Sequence, residues 1–202
     1  MKDYTLVDLE WTSWKNNYYG KFLEREKRKK WQKKEIIQIG ALKFDRNYKI
    51  KNSLETIVKP KINKKLSKHM INLTSLTDEI LEKKGIDFLK AFKKFKKFSK
   101  NTYVFSNGHD GKVLKKNLKY NKSKLKNVNV IDIKKIFEKK YSIPKKYLSS
   151  PIIKTFFGYK FNPKIAHNAL SDCKSVILAM RKMNFDLKII EKIVLLRKDE
   201  KN

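Results

Sequence analysis

Three short segments carry the side chains that could do chemistry. The first is LVDLE at residues 6–10, where two carboxylates alternate with apolar residues. This alternation predicts a buried strand with Asp8 and Glu10 on one face, about 6.5–7 Å apart. Buried acids repel each other and are costly to desolvate, and a bound divalent cation removes both penalties. The alternative is a strand end that turns into solvent, where the two acids are harmless.

The other two segments are NGHD at residues 107–110 and HNALSD at residues 167–172. Asp110 follows a predicted strand and opens a predicted helix, at the strand end where sites of α/β proteins usually lie. Asn168 suits a helix N-cap, which puts Asp172 in the first turn and His167 just outside it. The alternative for both segments is an ordinary helix start, where acidic side chains are favoured without any function.

Taken together, the three segments offer four acids and one histidine. Four carboxylates can hold two Mg²⁺ or Mn²⁺ ions roughly 3.5–4 Å apart, which activate a water and stabilise the leaving oxygen of a phosphodiester. Histidine is the side chain whose proton affinity suits a general base at neutral pH. The segments therefore predict phosphodiester hydrolysis with His167 beside two cations.

The charge of the chain favours a phosphate-rich partner. Its 202 residues include 51 Lys and Arg against 20 Asp and Glu, a formal net charge of +31. A polyanion such as nucleic acid offsets the self-repulsion of such a chain. Two alternatives stay open, an acidic membrane surface and the lysine bias of an AT-rich genome. The Phe/Lys helix expected over 88–100 could lie on a membrane, although its position favours a core role.

The elements that must position these residues follow from apolar periodicity and turn signals, and they predict one mixed α/β domain. Strands are expected over 4–10, 35–45, 49–58, 101–106 and 128–133. Helices are expected near 21–30, from Thr74 or Thr77 to about 83, and over 88–100, 110–119, 134–140, 168–183 and 186–198. We assign 1–185 to the main domain, with a basic insertion at 11–34, and 186–202 to a C-terminal helix and tail.

The chain is expected to be cytoplasmic and reduced. Cys173 is the single cysteine, and acids interrupt the first apolar stretch where a secretory signal would lie. The longest aliphatic run, residues 193–196, is far shorter than the roughly 18 residues of a membrane helix. No membrane partner is therefore expected. His69 and His109 have no ligand-like partner in the sequence, so both are interpreted as incidental.

The chemical segments and their flanks resemble the DEDDh 3′→5′ exonucleases, which include ribonuclease T, proofreading subunits and Eri1-type exoribonucleases. The spacing of His167 and Asp172 is typical of the histidine branch, because the tyrosine branch has Tyr at the position of Asn168. Trp11 to Trp14 replace the Thr-Thr-Gly of many members, which is closer to the Eri1-type branch. The matching text is VDLEWT, EIIQIGALKF, LTSLTDEIL, FSNGHD and HNALSD, which covers roughly residues 3–183.

The resemblance implies a ribonuclease H-like fold, a mixed five-stranded sheet with helices on both faces. By motif position it implies that Asp8, Glu10, Asp110 and Asp172 are metal ligands and that His167 is the general base. It also implies substrate contacts: Trp14 and Leu76 would stack on or wedge between terminal bases, and Thr12 would bond the ribose. The full set of implied substrate-binding residues is Leu9, Trp11, Thr12, Trp14 and Leu76. The alternative is that Trp14 and Leu76 only pack the fold.

The sequence thus predicts a two-metal exonuclease that trims single-stranded 3′ ends to nucleoside 5′-monophosphates, with RNA favoured over DNA. The lysines of 21–34 could follow the phosphate backbone, or they could form a solvated loop. A homodimer, which some relatives form, stays open. The rival prediction is a catalytically silent RNA-binding module on the same scaffold, and a third is a peripheral membrane protein.

Overall fold

The computed structural model describes residues 3–14 and 33–199, with side chains described as far as Leu196. The helix expected near 21–30 lies outside the described residues. The strands are β1 (Tyr4–Trp11), β2 (Ile36–Phe44), β3 (Ile50–Ile57), β4 (Tyr103–Ser106) and β5 (Ile131–Asp132). The helices are α1 (Lys68–Thr74), α2 (Asp78–Lys84), α3 (Phe88–Phe98), α4 (Asp110–Tyr120), α5 (Lys134–Lys139), α6 (Ala169–Lys182) and α7 (Lys188–Asp199). Short 3₁₀ turns cover Lys145–Tyr147 and Ile153–Phe157.

The five strands form one sheet in the order β3-β2-β1-β4-β5. β1 is central, antiparallel to β2 and parallel to β4, while β3 is antiparallel to β2 and β5 is parallel to β4. Both faces of the sheet are covered by helices. The predicted mixed five-stranded α/β fold is therefore confirmed.

Strand β1 divides its side chains between the two cores because successive residues of a strand point to opposite faces. Tyr4 and Leu6 join the core formed with α5, α6 and α7. Val7 and Leu9 join the core formed with α3 and α4. Asp8 and Glu10 continue the row of Tyr4 and Leu6, so both carboxylates lie on the α6 side of the sheet.

Helix α1 was not expected from the sequence, which indicated no helix before Thr74. It begins at Ser67, whose side chain accepts a hydrogen bond from the backbone N–H of Met70. Its buried Met70 packs with Leu76 and Leu81 of a third, smaller core. Thr77 caps α2, which is one of the two starts expected for that helix. Helix α1 therefore lines one side of a pocket at the carboxyl end of β1.

Strand β5 is shorter than the expected span of 128–133. Only Ile131 and Asp132 pair, with Phe105 and Ser106 of β4. Val130 lies instead against the first turn of α4. A Cβ atom added to Gly111 would be only 3.0 Å from Val130 Cβ, which shows how closely the two segments approach. The segment therefore forms a wall beside α4.

Helix α7 packs on the sheet through Ile190, which belongs to the same core as Tyr4 and as Leu187 just before the helix. The division of the chain at residue 185 stays a prediction. No helix among the described residues is long and apolar enough to cross a membrane.

Candidate active site

Four carboxylates and one imidazole surround a single pocket of about 440 Å³. Asp8 and Glu10 come from the carboxyl end of β1, and Asp110 is the first residue of α4. Asp172 lies in the first turn of α6, and His167 precedes its N-cap, Asn168. The structure thus brings together all five side chains that the sequence singled out.

The five groups are close enough to act on one another. Carboxylate oxygens of Glu10 and Asp172 and a ring nitrogen of His167 all lie within 4.8 Å of one another. The negative charges of Asp110, Glu10 and Asp172 each raise the pKa of Asp8. A small ligand between these groups would therefore contact several of them at once.

Burial raises the pKa of each of the four acids, because desolvation disfavours the charged form. The pKa values of Asp8 and Glu10 rise well above the usual range, first through burial and then through the neighbouring carboxylates. Burial raises the pKa of Asp110 to about 6 and that of Asp172 to about 7. Without bound cations, the four acids of the cluster therefore stay protonated at pH values where most surface acids are ionised.

The donor set fits divalent cations. Within residues 3–14 and 33–199, no ion pair joins any of the four carboxylates to a lysine or arginine. Carboxylate oxygens are the ligands that Mg²⁺ and Mn²⁺ prefer, and a cation relieves the repulsion among buried acids. Because the four acids have raised pKa values and so retain protons, a metal ion would have to displace those protons in order to bind.

His167 is suited to accept a proton. Burial lowers the pKa of His167 from 6.5, and the nearby His69 lowers it further. The imidazole is therefore mainly neutral at pH 7. Its backbone is left-handed, with a φ of 59°. The backbone N–H of His167 is close enough to the Asp172 carboxylate to offset part of the rise that burial causes in the pKa of Asp172.

Two side chains of the sheet hold the start of α6. The Gln38 side-chain oxygen accepts from the backbone N–H of Ala169 at 3.0 Å, and its amide donates to Glu55 at 2.9 Å. The Asn168 amide donates to the same Glu55 oxygen at 2.8 Å. Because Gln38 lies beside Glu10 in the sheet register, these bonds fix α6 relative to the carboxylates of β1.

Gly40 allows this close approach of α6. It lies opposite Asp8 in the sheet, and a Cβ there would come within 2.3 Å of the Leu170 nitrogen and 2.4 Å of the Ala169 carbonyl carbon. Those atoms belong to the backbone and cannot turn away as a flexible side chain could. A side chain at residue 40 must therefore displace the start of α6.

We predict that Gly40→Ala destabilises the protein by about 1–3 kcal/mol, as overpacking of a tight site does. It should also lower catalytic activity, because displacement of α6 moves His167 and Asp172 away from β1. Thermal unfolding and hydrolysis assays measure the two effects. Gly158→Asn is the control: space is open there, and Asn adopts the left-handed backbone of this position at less cost than other side chains do, so only a small loss of stability and no loss of activity are expected. Full activity of Gly40→Ala would contradict the prediction.

Two polar residues behind Asp8 were missed by the sequence analysis. The nearby Ser150 hydroxyl partly offsets the rise of the pKa of Asp8. The Asn107 amide donates to Leu148 O at 2.9 Å and to Ser150 Oγ at 3.4 Å. The loop at 148–151 therefore lies beside Asp8 in the pocket. No spacing or composition marks Ser150, because only the folded chain brings this loop to β1.

The predicted substrate-binding residues divide into two groups. Leu9 and Trp11 line the pocket, whereas Thr12, Trp14 and Leu76 do not. The Thr12 hydroxyl donates to Lys33 O at 2.7 Å and accepts from the backbone N–H of Glu35 at 3.0 Å. Leu76 packs in the third core. Substrate contacts by these three residues stay predictions, and the described bonds of Thr12 serve the fold.

Helix α1 supplies pocket residues that the sequence analysis did not assign. His69, Met70 and Leu73 line the same pocket as Leu9 and Trp11. His109 lines the pocket as well, with its Nδ1 3.2 Å from an Asp132 oxygen. Both histidines interpreted as incidental thus border the site. If residues 68–74 had been predicted as a helix, His69 would have been recognised as a residue of an element beside the site.

The chain belongs to the RNase_T family, described as Exonuclease, whose family model matches residues 6–180. The resemblance to the DEDDh exonucleases, inferred from the motifs, is confirmed. A search of curated protein sequences found no match.

Solved structures share the fold at low identity. The nuclease domain of 3′hExo, a DEDDh family member bound to rAMP, is 20% identical, with a TM-score of 0.71 over 91% of this chain and 92% of that one. A 3′-exonuclease that recognises the histone mRNA stem-loop is 21% identical, with a TM-score of 0.72 over 91% of this chain and 81% of that one. E. coli ExoI in complex with ssDNA is 12% identical, with a TM-score of 0.68 over 97% of this chain and 43% of that one.

Proposed function

We propose that the protein is a cation-dependent 3′→5′ exonuclease that releases nucleoside 5′-monophosphates from single-stranded ends. The observation that carries this proposal is the convergence of Asp8, Glu10, Asp110, Asp172 and His167 on one pocket of an exonuclease-family fold. RNA is the favoured substrate, since the two relatives of higher identity are described with an mRNA stem-loop and with rAMP.

In this proposal Asp8, Glu10, Asp110 and Asp172 hold two Mg²⁺ or Mn²⁺ ions. When bound, the ions supply positive charge that acidifies a water and stabilises the leaving oxygen. The ring nitrogen of His167 near Glu10 and Asp172 accepts the proton of the attacking water. Because its pKa is lowered, His167 is ready to do so at neutral pH.

The rest of the pocket orients the substrate. Trp11 and Leu73 line the pocket and offer apolar surface on which the terminal nucleoside can pack, whereas the Leu9 side chain is buried in the core with α3 and α4. Lys34 and Lys134 also line the pocket, and their charge attracts a phosphate chain. The phosphodiester to be cut then lies between the carboxylates and His167.

A labelled-strand assay tests the proposed function. Single-stranded RNA and DNA carrying a 5′ label are incubated with the protein in Mg²⁺ or Mn²⁺, and then with EDTA. We expect a ladder that shortens from the 3′ end, with RNA cut faster, and no ladder in EDTA. Tight, salt-sensitive binding without any shortening would instead support the catalytically silent binding module.

A further inference from the structure

A second groove, of about 430 Å³, adjoins the active-site pocket. We call it the α4 groove; it runs between the first two turns of α4 and residues 127–132. Gly108 and His109 line both the pocket and the groove. A chain that leaves the pocket past His109 therefore enters the α4 groove directly.

The lining of the α4 groove combines cationic, amide and apolar groups. Lys112 and Lys115 lie one helical turn apart on α4 and are exposed. Neither forms an ion pair with any residue in the described part of the chain. Asn127 is exposed, and Val128 and Val130 are half-buried in the opposite wall. Lysines suit phosphates, and a valine surface suits a base or ribose.

One acid lies in the groove, and it is already engaged. Asp132 has one oxygen 3.2 Å from His109 Nδ1, and the other accepts from the backbone N–H of Lys134 at 3.0 Å. Its two oxygens thus face His109 and the backbone of Lys134, at the end of the groove beside the pocket. Lys112 and Lys115 set the charge along the α4 wall.

The groove is preformed because its two walls are in close contact. A Cβ on Gly111 would lie 3.0 Å from Val130 Cβ and 3.3 Å from Val130 O. The Asn127 amide also donates to Gly111 O at 3.4 Å. A preformed groove orders a flexible strand at a smaller loss of protein entropy.

We propose that the α4 groove binds the single-stranded nucleic acid on the 5′ side of the scissile phosphate, with Lys112 and Lys115 on its phosphates. This inference rests on the proposed function. In that function the terminal nucleoside would pack against Trp11 and Leu73 of the pocket. The remaining strand must leave on another side, and the continuous path past Gly108 and His109 leads to the two lysines.

The test compares two double variants of the same helix. Lys112→Ala with Lys115→Ala removes the groove lysines, while Lys116→Ala with Lys119→Ala removes two exposed lysines that do not line the groove. Binding of a 5′-labelled RNA octamer in EDTA is followed by fluorescence anisotropy at several salt concentrations. Hydrolysis of a dinucleotide in Mn²⁺ is measured in parallel.

We expect the groove variant to bind the octamer about tenfold more weakly, with the salt slope reduced by about 1.4 for two lost phosphate contacts. Dinucleotide hydrolysis should be unchanged, because a dinucleotide has no phosphate beyond the scissile one for Lys112 and Lys115 to bind. The control variant should bind as the wild type does. Equal weakening in both variants, or no weakening in either, would overturn the groove assignment. Failure of the wild type to cut any substrate would overturn the exonuclease proposal instead, while the binding comparison still decides the groove.

Discussion

Asp110→Asn is expected to reduce hydrolysis by more than about 100-fold and, without divalent cations, to make the protein more stable. The loss follows because even outer-shell partners of a metal site are worth about 10–100-fold, and Asp110 is proposed as a direct ligand. The gain follows because Asn removes one charge from a buried cluster of four acids. A substitution that only damaged the fold would lower both activity and stability, so opposite signs of the two effects indicate a functional role for Asp110.

The stability effect depends on pH with a definite sign. Burial raises the pKa of Asp110 from 3.8 to about 6, so the folded state retains a proton that the unfolded state has released. The contribution of Asp110 to the free energy of unfolding is fully present below pH 3.8, the ordinary pKa of Asp. It is lost as the pH rises from there through the folded-state pKa of about 6. Above that pH the penalty is constant and at most about 3 kcal/mol for this residue. Asp110→Asn should therefore flatten the decline of stability between pH 4 and pH 7 and be more stable at pH 8.

Thermal unfolding in EDTA and in Mn²⁺ measures both effects. The wild type should be stabilised by Mn²⁺, since a ligand that binds only the folded state raises its stability, and the variant should gain less. Glu79→Gln is the matched control, because it neutralises an exposed acid of α2 that lies outside the pocket. An Asp110→Asn protein that kept wild-type activity would remove Asp110 from the ligand set.

The central sheet could be predicted because its pattern is local. Strand β1 alternates between two cores, so the sequence around Asp8 and Glu10 indicates both the strand and the shared face of the two acids. Asp110 and Asp172 lie at helix starts, which the preceding strand and the Asn168 cap mark in the sequence. Each of these signals lies within a few residues, and the motif spacing supplied the rest.

What the sequence did not reveal depends on contacts between distant segments. Ser150 lies near Asp8 in a loop whose following 3₁₀ turn, Ile153–Phe157, packs against α6, and nothing in the loop sequence indicates that proximity. Thr12 follows the DxE motif, yet its hydroxyl bonds to residues 33 and 35 at the far end of the insertion. Helix α1 has seven residues, too short for its periodicity to stand out from a loop. In each case tertiary packing decides what the local pattern leaves open.

His167→Gly is expected to slow hydrolysis by about 10²–10⁴-fold, the usual contribution of a general base. Glycine is the suitable replacement because the φ of 59° at this position favours a residue without a Cβ. The fold and the capped start of α6 should therefore persist. Binding of Mn²⁺, read from the thermal shift, should remain, since the four carboxylates are unchanged. Loss of that shift would make His167 a metal ligand and not a base.

Two further measurements separate a base from a structural residue. Added imidazole should restore part of the activity of His167→Gly, because it can occupy the space of the lost side chain and accept the same proton. The wild type should also lose activity as pH falls through the pKa of His167, which burial and His69 hold below 6.5. At those pH values the protonated ring can no longer accept a proton, so the variant without imidazole should lack that step of the profile. If imidazole restored nothing and the profile kept its shape, the proton would be taken by another group, and the assignment of His167 as the base would fail.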